Sequence, residues 1–350
     1  MSKISYIILF FSIGSIFWAK PGLGDQSWLQ DVTHKQIPVN GINMHVAEMG
    51  GNGSAGTILF LHGFPELWYS WRHQMTGLSA KGYRTIAPDL RGYGDTVGAP
   101  TTSNNYTVLH VLGDIVSLLD ALGLDTVHLV GHDWGANLAW LLCMMRPDKI
   151  KALVNLSIFF SPRNPVAPPT VTYAKALTDG FYICRFQNQG EAEAAFKSVG
   201  TATVIRTFMT KFQPEPLVIP TNESIAVFFQ GPQTQLPSWL TQADIDYFTS
   251  KFEKTGFTGG LNYYRALDLS WELTAAWTGA RIEVPVKFLI GEDDMTYHFP
   301  RVKETIEDKS YKKLIPKLEE VVVMKGVGHF ANQVKADEVN EHIFSFISKY

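Results

Sequence analysis

The sequence predicts an α/β fold in which a mostly parallel central sheet is interrupted by a long helical insertion. Compact apolar runs of strand length, such as residues 57–61, 127–130 and 284–290, alternate with amphipathic helical stretches. Near-continuous apolar strands are typical of a parallel sheet that helices cover on both faces. The alternation stops at about residue 161 and resumes at about residue 281, a gap longer than any plain connection.

The order of the elements follows from the same patterns. The first two strands are joined by Asn40-Gly41, which is the strongest short hairpin signal. We expect strands at 32–39, 42–48, 57–61, 83–87, 127–130, 151–156, 284–290 and 320–324, and helices at 68–80, 107–122, 134–145, 299–308 and 336–349. The predicted core therefore comprises residues 32–160 and 281–350, and the helical lid, residues 161–280, follows the sixth strand.

Composition excludes several classes of function. The chain has 350 residues, a net charge of -3 and 45% hydrophobic residues, which suits a large globular core. Without a basic run, no nucleic-acid partner is expected. Cys143 and Cys184 are too few for a disulfide framework, so both are interpreted as free thiols, and no metal site is predicted.

The amino-terminal segment differs from the rest of the chain. Residues 4–19 carry no charge and are strongly apolar, Lys3 precedes them, and small residues follow at 22–24. This pattern is typical of a secretory signal peptide, with an uncleaved membrane anchor as the second interpretation. We therefore expect residues 1–24 to lie outside the fold and the protein to enter the secretory pathway, in the endoplasmic reticulum or outside the cell.

A pentapeptide at the end of the fifth strand carries the strongest chemical signal. Gly131-His132-Asp133-Trp134-Gly135 has the frame Gly-x-nucleophile-x-Gly, in which a sharp strand-to-helix turn exposes the central residue. The following helix amino-terminus favours negative charge there. Here the central residue is an aspartate where serine is usual. The alternative is a helix-capping aspartate, which the downstream residues argue against.

Those downstream residues complete the order nucleophile, acid, histidine that such a turn requires. The acid is Asp294 or its neighbour Asp293, at the end of the 284–290 strand. The histidine is His329, just past the last strand. Both positions are strand-end loops, where the active-site residues of open α/β folds collect.

An aspartate nucleophile limits the types of reaction that the site could catalyse. A carboxylate is already ionised at neutral pH and can displace at a saturated carbon to form an alkyl ester. His329 would then activate water against that ester, while the backbone N–H groups of Phe64 and Trp134 form the oxyanion hole. Ordinary ester hydrolysis is disfavoured, whereas epoxide opening and halide expulsion both remain. Neither needs a metal or an organic cofactor.

Four separate motifs resemble the soluble epoxide hydrolases of the α/β-hydrolase fold, and the plant members most of all. They are HGFPELWYSWR at 62–72, DLRGYGD at 89–95, GHDWG at 131–135 and NYYR at 262–265. The resemblance runs from about Val32 to the carboxyl terminus. It implies conversion of a small hydrophobic epoxide and water to a vicinal diol through a covalent aspartyl alkyl ester.

The resemblance also implies individual residues. Two lid tyrosines would hold and protonate the epoxide oxygen, namely Tyr182 and Tyr264, with Tyr263 as the neighbour that competes with Tyr264. The pattern Gly-Glu-x-Asp favours Asp294 over Asp293 as the acid. The leading hydrophobic segment departs from the plant soluble enzymes, which makes a cytoplasmic location the alternative.

Two other functions compete with this hypothesis. A haloalkane or haloacid dehalogenase would use the same aspartate, but paired lid tyrosines argue against it. A non-catalytic relative that binds a hydrophobic ligand would not need the complete set of Asp133, Asp294 and His329. The sequence makes no prediction of oligomeric state.

Overall fold

The computed structural model describes residues 27–51, 53–211, 214–232 and 235–350. The predicted leader, residues 1–24, lies outside the described residues. Within the described ranges, every helix is too short or too polar to cross a bilayer.

An eight-stranded sheet forms the centre of the molecule, with the strand order β1-β2-β4-β3-β5-β6-β7-β8. The first two strands form the predicted antiparallel hairpin, β2 also runs antiparallel to β4, and the remaining neighbours are parallel. The predicted fold class is therefore confirmed. The strands are β1 Thr33–Val39, β2 Ile42–Met49, β3 Thr57–Leu61, β4 Arg84–Pro88, β5 Val127–His132, β6 Ile150–Leu156, β7 Val286–Gly291 and β8 Leu318–Met324.

Helices cover the sheet and fill the insertion between β6 and β7. The core helices are α1 Arg72–Ser79, α2 Val108–Ala121, α3 Trp134–Met145, α11 Val302–Glu307, α12 Ala331–Val334 and α13 Ala336–Ile347. The lid helices are α4 Pro169–Leu177, α5 Tyr182–Arg185, α6 Glu191–Val199, α7 Thr201–Thr210, α8 Gln242–Thr255, α9 Thr258–Arg265 and α10 Leu267–Leu273.

One helix begins later than the sequence predicts. The pattern indicates a helix from Phe299, but α11 starts at Val302, after a short 3-10 helix at Met295–His298. Phe299 is extended, with ψ of 147°. The reason is Pro300, since a residue before proline is sterically disfavoured in the helical region.

The central strands bring the candidate site residues to one edge of the sheet. Every residue of β5 and β7 is buried, as expected for parallel strands with helices on both faces. Because β5, β7 and β8 are parallel, their carboxyl ends meet at the same edge. The loops that carry Asp133, Asp294 and His329 start there.

Buried polar contacts attach the lid helix α8 to the core. The Tyr69 hydroxyl donates to Asp244 Oδ1 over 2.9 Å, and Arg72 Nη2 lies 3.2 Å from the same oxygen. The other oxygen of Asp244 accepts from Thr241 in a capping box that starts α8. One carboxylate thus both starts the helix and ties it to the core.

Candidate active site

Asp133 lies on a backbone that few side chains adopt. Its φ of 51° and ψ of -120° place it at the sharp turn between β5 and α3. A Cβ at Gly131 would lie 2.6 Å from the carbonyl oxygen of Gly135, and one at Gly135 would clash with the Leu61 carbonyl. The two glycines are therefore required by space, and they leave Asp133 free to face the cavity.

The structure brings together the three residues predicted as nucleophile, acid and base. His329 Nε2 lies 3.5 Å from Asp133 Oδ2, and His329 Nδ1 lies 3.0 Å from Asp294 Oδ1. Asp294 is fully buried, whereas Asp293 is exposed. The geometry therefore selects Asp294, the residue that the resemblance favours, as the partner of His329.

Burial and neighbouring charges shift the pKa of His329 in opposite directions, and the same holds for the pKa of Asp294. Burial alone would lower the pKa of His329, but the Asp294 carboxylate and the contacts with Asp133 raise it to about 10. Burial would likewise raise the pKa of Asp294, yet the facing His329 lowers it to about 2. In the resting site the imidazole is thus held as a cation between two carboxylates.

The loop after β3 supplies a backbone donor at the nucleophile. The Phe64 N–H donates to Asp133 Oδ1 over 2.7 Å. The preceding Gly63 is needed because a Cβ there would overlap the Asp133 side chain. Trp134 is the first residue of α3, where backbone N–H groups have no partner within the helix. Its part in the oxyanion hole stays a prediction.

The two predicted tyrosines face Asp133 from the lid. Tyr182 opens α5 and Tyr264 lies in α9, with ring centroids 5.9 Å apart. The two rings meet edge-on, at an interplanar angle of 72°. Tyr263 faces the core instead, and its hydroxyl donates to the Arg91 carbonyl over 3.0 Å. The structure thus places Tyr264, and not Tyr263, in the cavity.

Burial keeps both phenols neutral. It raises the pKa of Tyr182 well above its usual value, and the negative charge of Asp133 adds to the effect. For the pKa of Tyr264, burial again comes first, followed by the proximity of Tyr182 and then of Asp133. A neutral phenol can donate a hydrogen bond to an oxygen held between the two rings.

These groups share one cavity of about 320 Å³. Its base is polar, because Asp133, His329 and the two phenols lie there. Most of its wall is apolar, with Lys211 and Glu215 as charged lining residues. The apolar wall is formed by Phe64, Phe186, Phe208, Pro216, Leu217, Val218, Phe228 and Met295.

Glu66 and His132 form a buried acid–base pair next to His329, and the sequence motifs did not predict this pair. His132 Nδ1 lies 2.7 Å from Glu66 Oε2, and His132 Nε2 lies 2.8 Å from the His329 carbonyl. Burial would raise the pKa of Glu66, but the facing His132 lowers it to about 2. The pair supports the backbone of His329. Glu66 lies within the 62–72 motif, and that is the signal that could have found it.

A group with the spacing of metal ligands lies elsewhere in the described part of the chain. His45, Asp89 and Asp95 bring their ligand atoms within 4.8 Å of one another. Those atoms already have protein partners, since His45 Nδ1 lies 2.8 Å from Asp89 Oδ2 and Lys251 pairs with Asp95 over 2.5 Å. None of the three lines the cavity that contains Asp133.

Comparisons with known proteins agree with this geometry. The family model for the alpha/beta hydrolase fold matches residues 56–336. The chain is 56% identical over 323 residues to epoxide hydrolase 1 of Siraitia grosvenorii, covering 92% of this chain and 100% of that protein. It is 34% identical to epoxide hydrolase A of Mycobacterium tuberculosis, covering 90% and 97% of the two chains.

Solved structures extend the similarity to three dimensions. An epoxide hydrolase of Vigna radiata is 51% identical with a TM-score of 0.89, over 92% of this chain and 99% of that one. Potato epoxide hydrolase I, from Solanum tuberosum, is 48% identical with a TM-score of 0.85, over 91% and 100%. The chain therefore belongs to the epoxide hydrolases of the alpha/beta hydrolase fold, and it is most similar in these comparisons to plant members.

Proposed function

We infer that this protein hydrolyses epoxides to vicinal diols through an ester formed on Asp133. The observation that carries the inference is the position of the Asp133 carboxylate, which faces two neutral phenols across one apolar cavity. A halide would need only weak N–H donors to leave. An epoxide leaves as an alkoxide and needs an acid, which a phenol supplies.

In the first half of the reaction, Asp133 attacks one carbon of the epoxide. The Phe64 N–H holds Oδ1, so Oδ2 is the oxygen that attacks. The carbon–oxygen bond of the ring breaks, and its electron pair goes to the oxygen held by Tyr182 and Tyr264. One phenol transfers its proton to that oxygen, because an alkoxide is a stronger base than a phenolate.

In the second half, His329 acts as a base towards water. The charge of Asp133 helps to raise the pKa of His329 in the resting enzyme. Once Asp133 is esterified, that charge is gone and the pKa of His329 falls. The proton that His329 releases goes to the phenolate left by the first half. The neutral imidazole then accepts a proton from water, and the hydroxide attacks the ester carbonyl, where the Phe64 N–H stabilises the negative charge that develops on the carbonyl oxygen. This intermediate collapses by breaking its bond to the diol oxygen, which takes the carboxyl proton of Asp133, so that the diol leaves and the carboxylate is restored.

A single turnover in ¹⁸O-water tests the covalent route. With enzyme in excess over a styrene-type epoxide, the diol is expected to be unlabelled, because its new oxygen comes from Asp133. Enzyme recovered from that turnover and given fresh epoxide should then pass on the label. Label in the diol of the first turnover would exclude the ester, and no diol from any epoxide would exclude the activity.

We also propose that residues 1–24 direct the protein to the secretory pathway. Support comes from the uncharged apolar run that follows Lys3. Three described asparagines begin Asn-x-Ser/Thr acceptor patterns: Asn222 is exposed on the lid, Asn105 is half-buried and Asn155 is buried. Expression in a eukaryotic host should yield a glycosidase-sensitive mass shift, which Asn222→Gln reduces. An unmodified protein that fractionates with cytosol would contradict the proposal.

A further inference from the structure

We propose that Ser157 is a positioning residue for His329, whose imidazole ring it holds with a second hydrogen bond on the side opposite the substrate. The inference rests on the proposed function, because its effect is on the hydrolysis of the Asp133 ester. Ser157 Oγ lies 3.1 Å from His329 Nδ1, almost as close as Asp294 Oδ1 at 3.0 Å. The Nδ1 atom thus faces two acceptors.

The position of Ser157 in the fold is unusual. It directly follows β6, where the chain leaves the sheet for the lid, and it is only 2% exposed. Its backbone has a φ of 72°, a left-handed conformation that non-glycine residues rarely adopt. Its N–H still donates to the Leu289 carbonyl of β7 over 3.0 Å. The sheet therefore anchors the backbone that carries the hydroxyl.

Each hydroxyl has only one proton to donate, and this fixes the direction of the hydrogen bond between Ser157 and His329. The Thr296 hydroxyl donates to the Ser157 carbonyl over 2.9 Å, so its single proton is committed there. At the 3.2 Å contact between the two hydroxyl oxygens, Thr296 can then only accept, so the proton of Ser157 is directed to Thr296 or to the Asp294 carboxylate. Ser157 Oγ consequently presents a lone pair to His329, and the Nδ1–H of His329 donates to it.

This arrangement has a chemical consequence at the other ring nitrogen. A neutral imidazole carries one proton, and two acceptors at Nδ1 hold that proton there. Nε2 is then the ring nitrogen that accepts a proton from water, on the side of Asp133, from which it is 3.5 Å away. When Nε2 takes the proton, Ser157 and Asp294 both stabilise the cation that results. Ser157 thus makes His329 a stronger base at the step where water cleaves the ester.

The experiment compares three substitutions at Ser157 with a remote buried hydroxyl. Ser157→Ala removes the acceptor, Ser157→Gly removes it and also relieves the left-handed backbone, and Ser157→Asn tolerates that backbone and restores an acceptor. The control is Thr85→Val, since Thr85 is buried in β4, donates to the Met49 carbonyl and does not line the cavity. Rapid mixing with an epoxide and mass spectrometry of quenched samples separate ester formation from ester decay.

We expect Ser157→Ala and Ser157→Gly to slow decay of the ester roughly tenfold, with ester formation nearly unchanged. The pH profile of decay should move to lower pH, because the lost hydrogen bond had favoured the protonated imidazole. Ser157→Asn should recover part of the rate, and Thr85→Val should match the wild type in both steps.

Two results would overturn the proposal while leaving the covalent mechanism in place. One is Ser157→Gly decaying its ester at the wild-type rate and pH, which would make the backbone the only role of this residue. The other is equal slowing of formation and decay in all three variants with an unshifted pH profile, which would indicate general damage to the fold. Wild-type enzyme that forms no ester would instead refute the proposed function.

Discussion

The two walls of the cavity are built in different ways. On the core wall, Asp133, Asp294 and His329 extend from the ends of buried parallel strands, and each has polar partners at short distances. On the lid wall, Tyr182 and Tyr264 belong to short helices, and their rings pack mainly against other aromatic rings. In the proposed reaction, the core wall carries the atoms that form and break the ester, and the lid wall carries the proton donors and most of the apolar surface.

This difference indicates that the two walls serve different needs of the proposed reaction. A strand end held in a sheet fixes an atom precisely, which a nucleophile and its base require. A lid of packed helices provides the apolar wall against which a hydrophobic epoxide can pack. Substitutions on the core wall should therefore abolish one chemical step, whereas substitutions on the lid wall should slow the first step and leave the second nearly intact.

The largest effect is expected for Asp133→Asn on the core wall. An amide cannot act as the nucleophile, so alkylation should stop and diol formation should fall by at least roughly 10⁴-fold. Intact-mass spectrometry after incubation with an epoxide should find no adduct. Asp293→Asn is the control, because Asp293 is exposed and should keep wild-type rates. An adduct on the Asp133→Asn variant would disprove the assigned nucleophile.

His329→Gln should separate the two halves of the reaction. Without the base, the ester still forms but its hydrolysis slows by roughly 10³- to 10⁴-fold, so the adduct should accumulate to about one per protein. Peptide mapping should place the adduct on Asp133. His298→Gln serves as the matched control, since His298 is exposed outside the cavity. Equal loss of ester formation and hydrolysis would contradict the role of His329.

On the lid wall, Tyr182→Phe and Tyr264→Phe should each slow alkylation roughly 10- to 100-fold. The remaining phenol still donates to the epoxide oxygen, so only the double variant should lose most of the rate. Tyr263→Phe is the control: it removes a buried hydrogen bond to the Arg91 carbonyl and should cost about 1 kcal/mol of unfolding free energy without slowing alkylation. If Tyr263→Phe slowed alkylation as much, the assignment of Tyr264 would be wrong.

The smallest expected effect is a change in how the free energy of unfolding depends on pH. Because the folded-state pKa of His329 is raised from 6.5 to about 10, its cation stabilises the fold fully below pH 6.5 and progressively less up to about pH 10. The difference in unfolding free energy between wild type and His329→Gln should therefore shrink across that window. Urea titrations at several pH values measure it, and a difference that stays constant would contradict the ion pairs with Asp133 and Asp294.

The sequence by itself determined the fold class, and it predicted the nucleophile and the order of the catalytic groups. Those predictions depend on local patterns: an Asn-Gly turn, apolar runs of strand length and a Gly-x-Asp-x-Gly frame. Local patterns suffice because φ and ψ at a turn, or burial along a strand, are set by a few neighbouring residues. The chemistry then followed from one substitution, since Asp133 in place of serine favours an alkyl ester.

Only the tertiary structure decided which of two neighbours faces the cavity. Tyr263 and Tyr264 are adjacent on α9, and successive side chains of a helix point about 100° apart, so the packing of α9 determines that Tyr264 reaches Asp133. Residue-level reasoning likewise left the choice between Asp293 and Asp294 open, because the packing of the turn after β7 decides which of them is buried. Before the structure, only the family resemblance favoured Tyr264 and Asp294.

The sequence also did not show which residues contact each other around His329. Glu66 pairs with His132, 66 residues further along the chain, and Ser157 reaches His329 across 172 residues. No periodicity links positions so far apart, because their contact depends on the order of strands in the sheet. The sequence thus predicted which groups react, and the packing of β6, β7 and β8 decided how the proposed base is held.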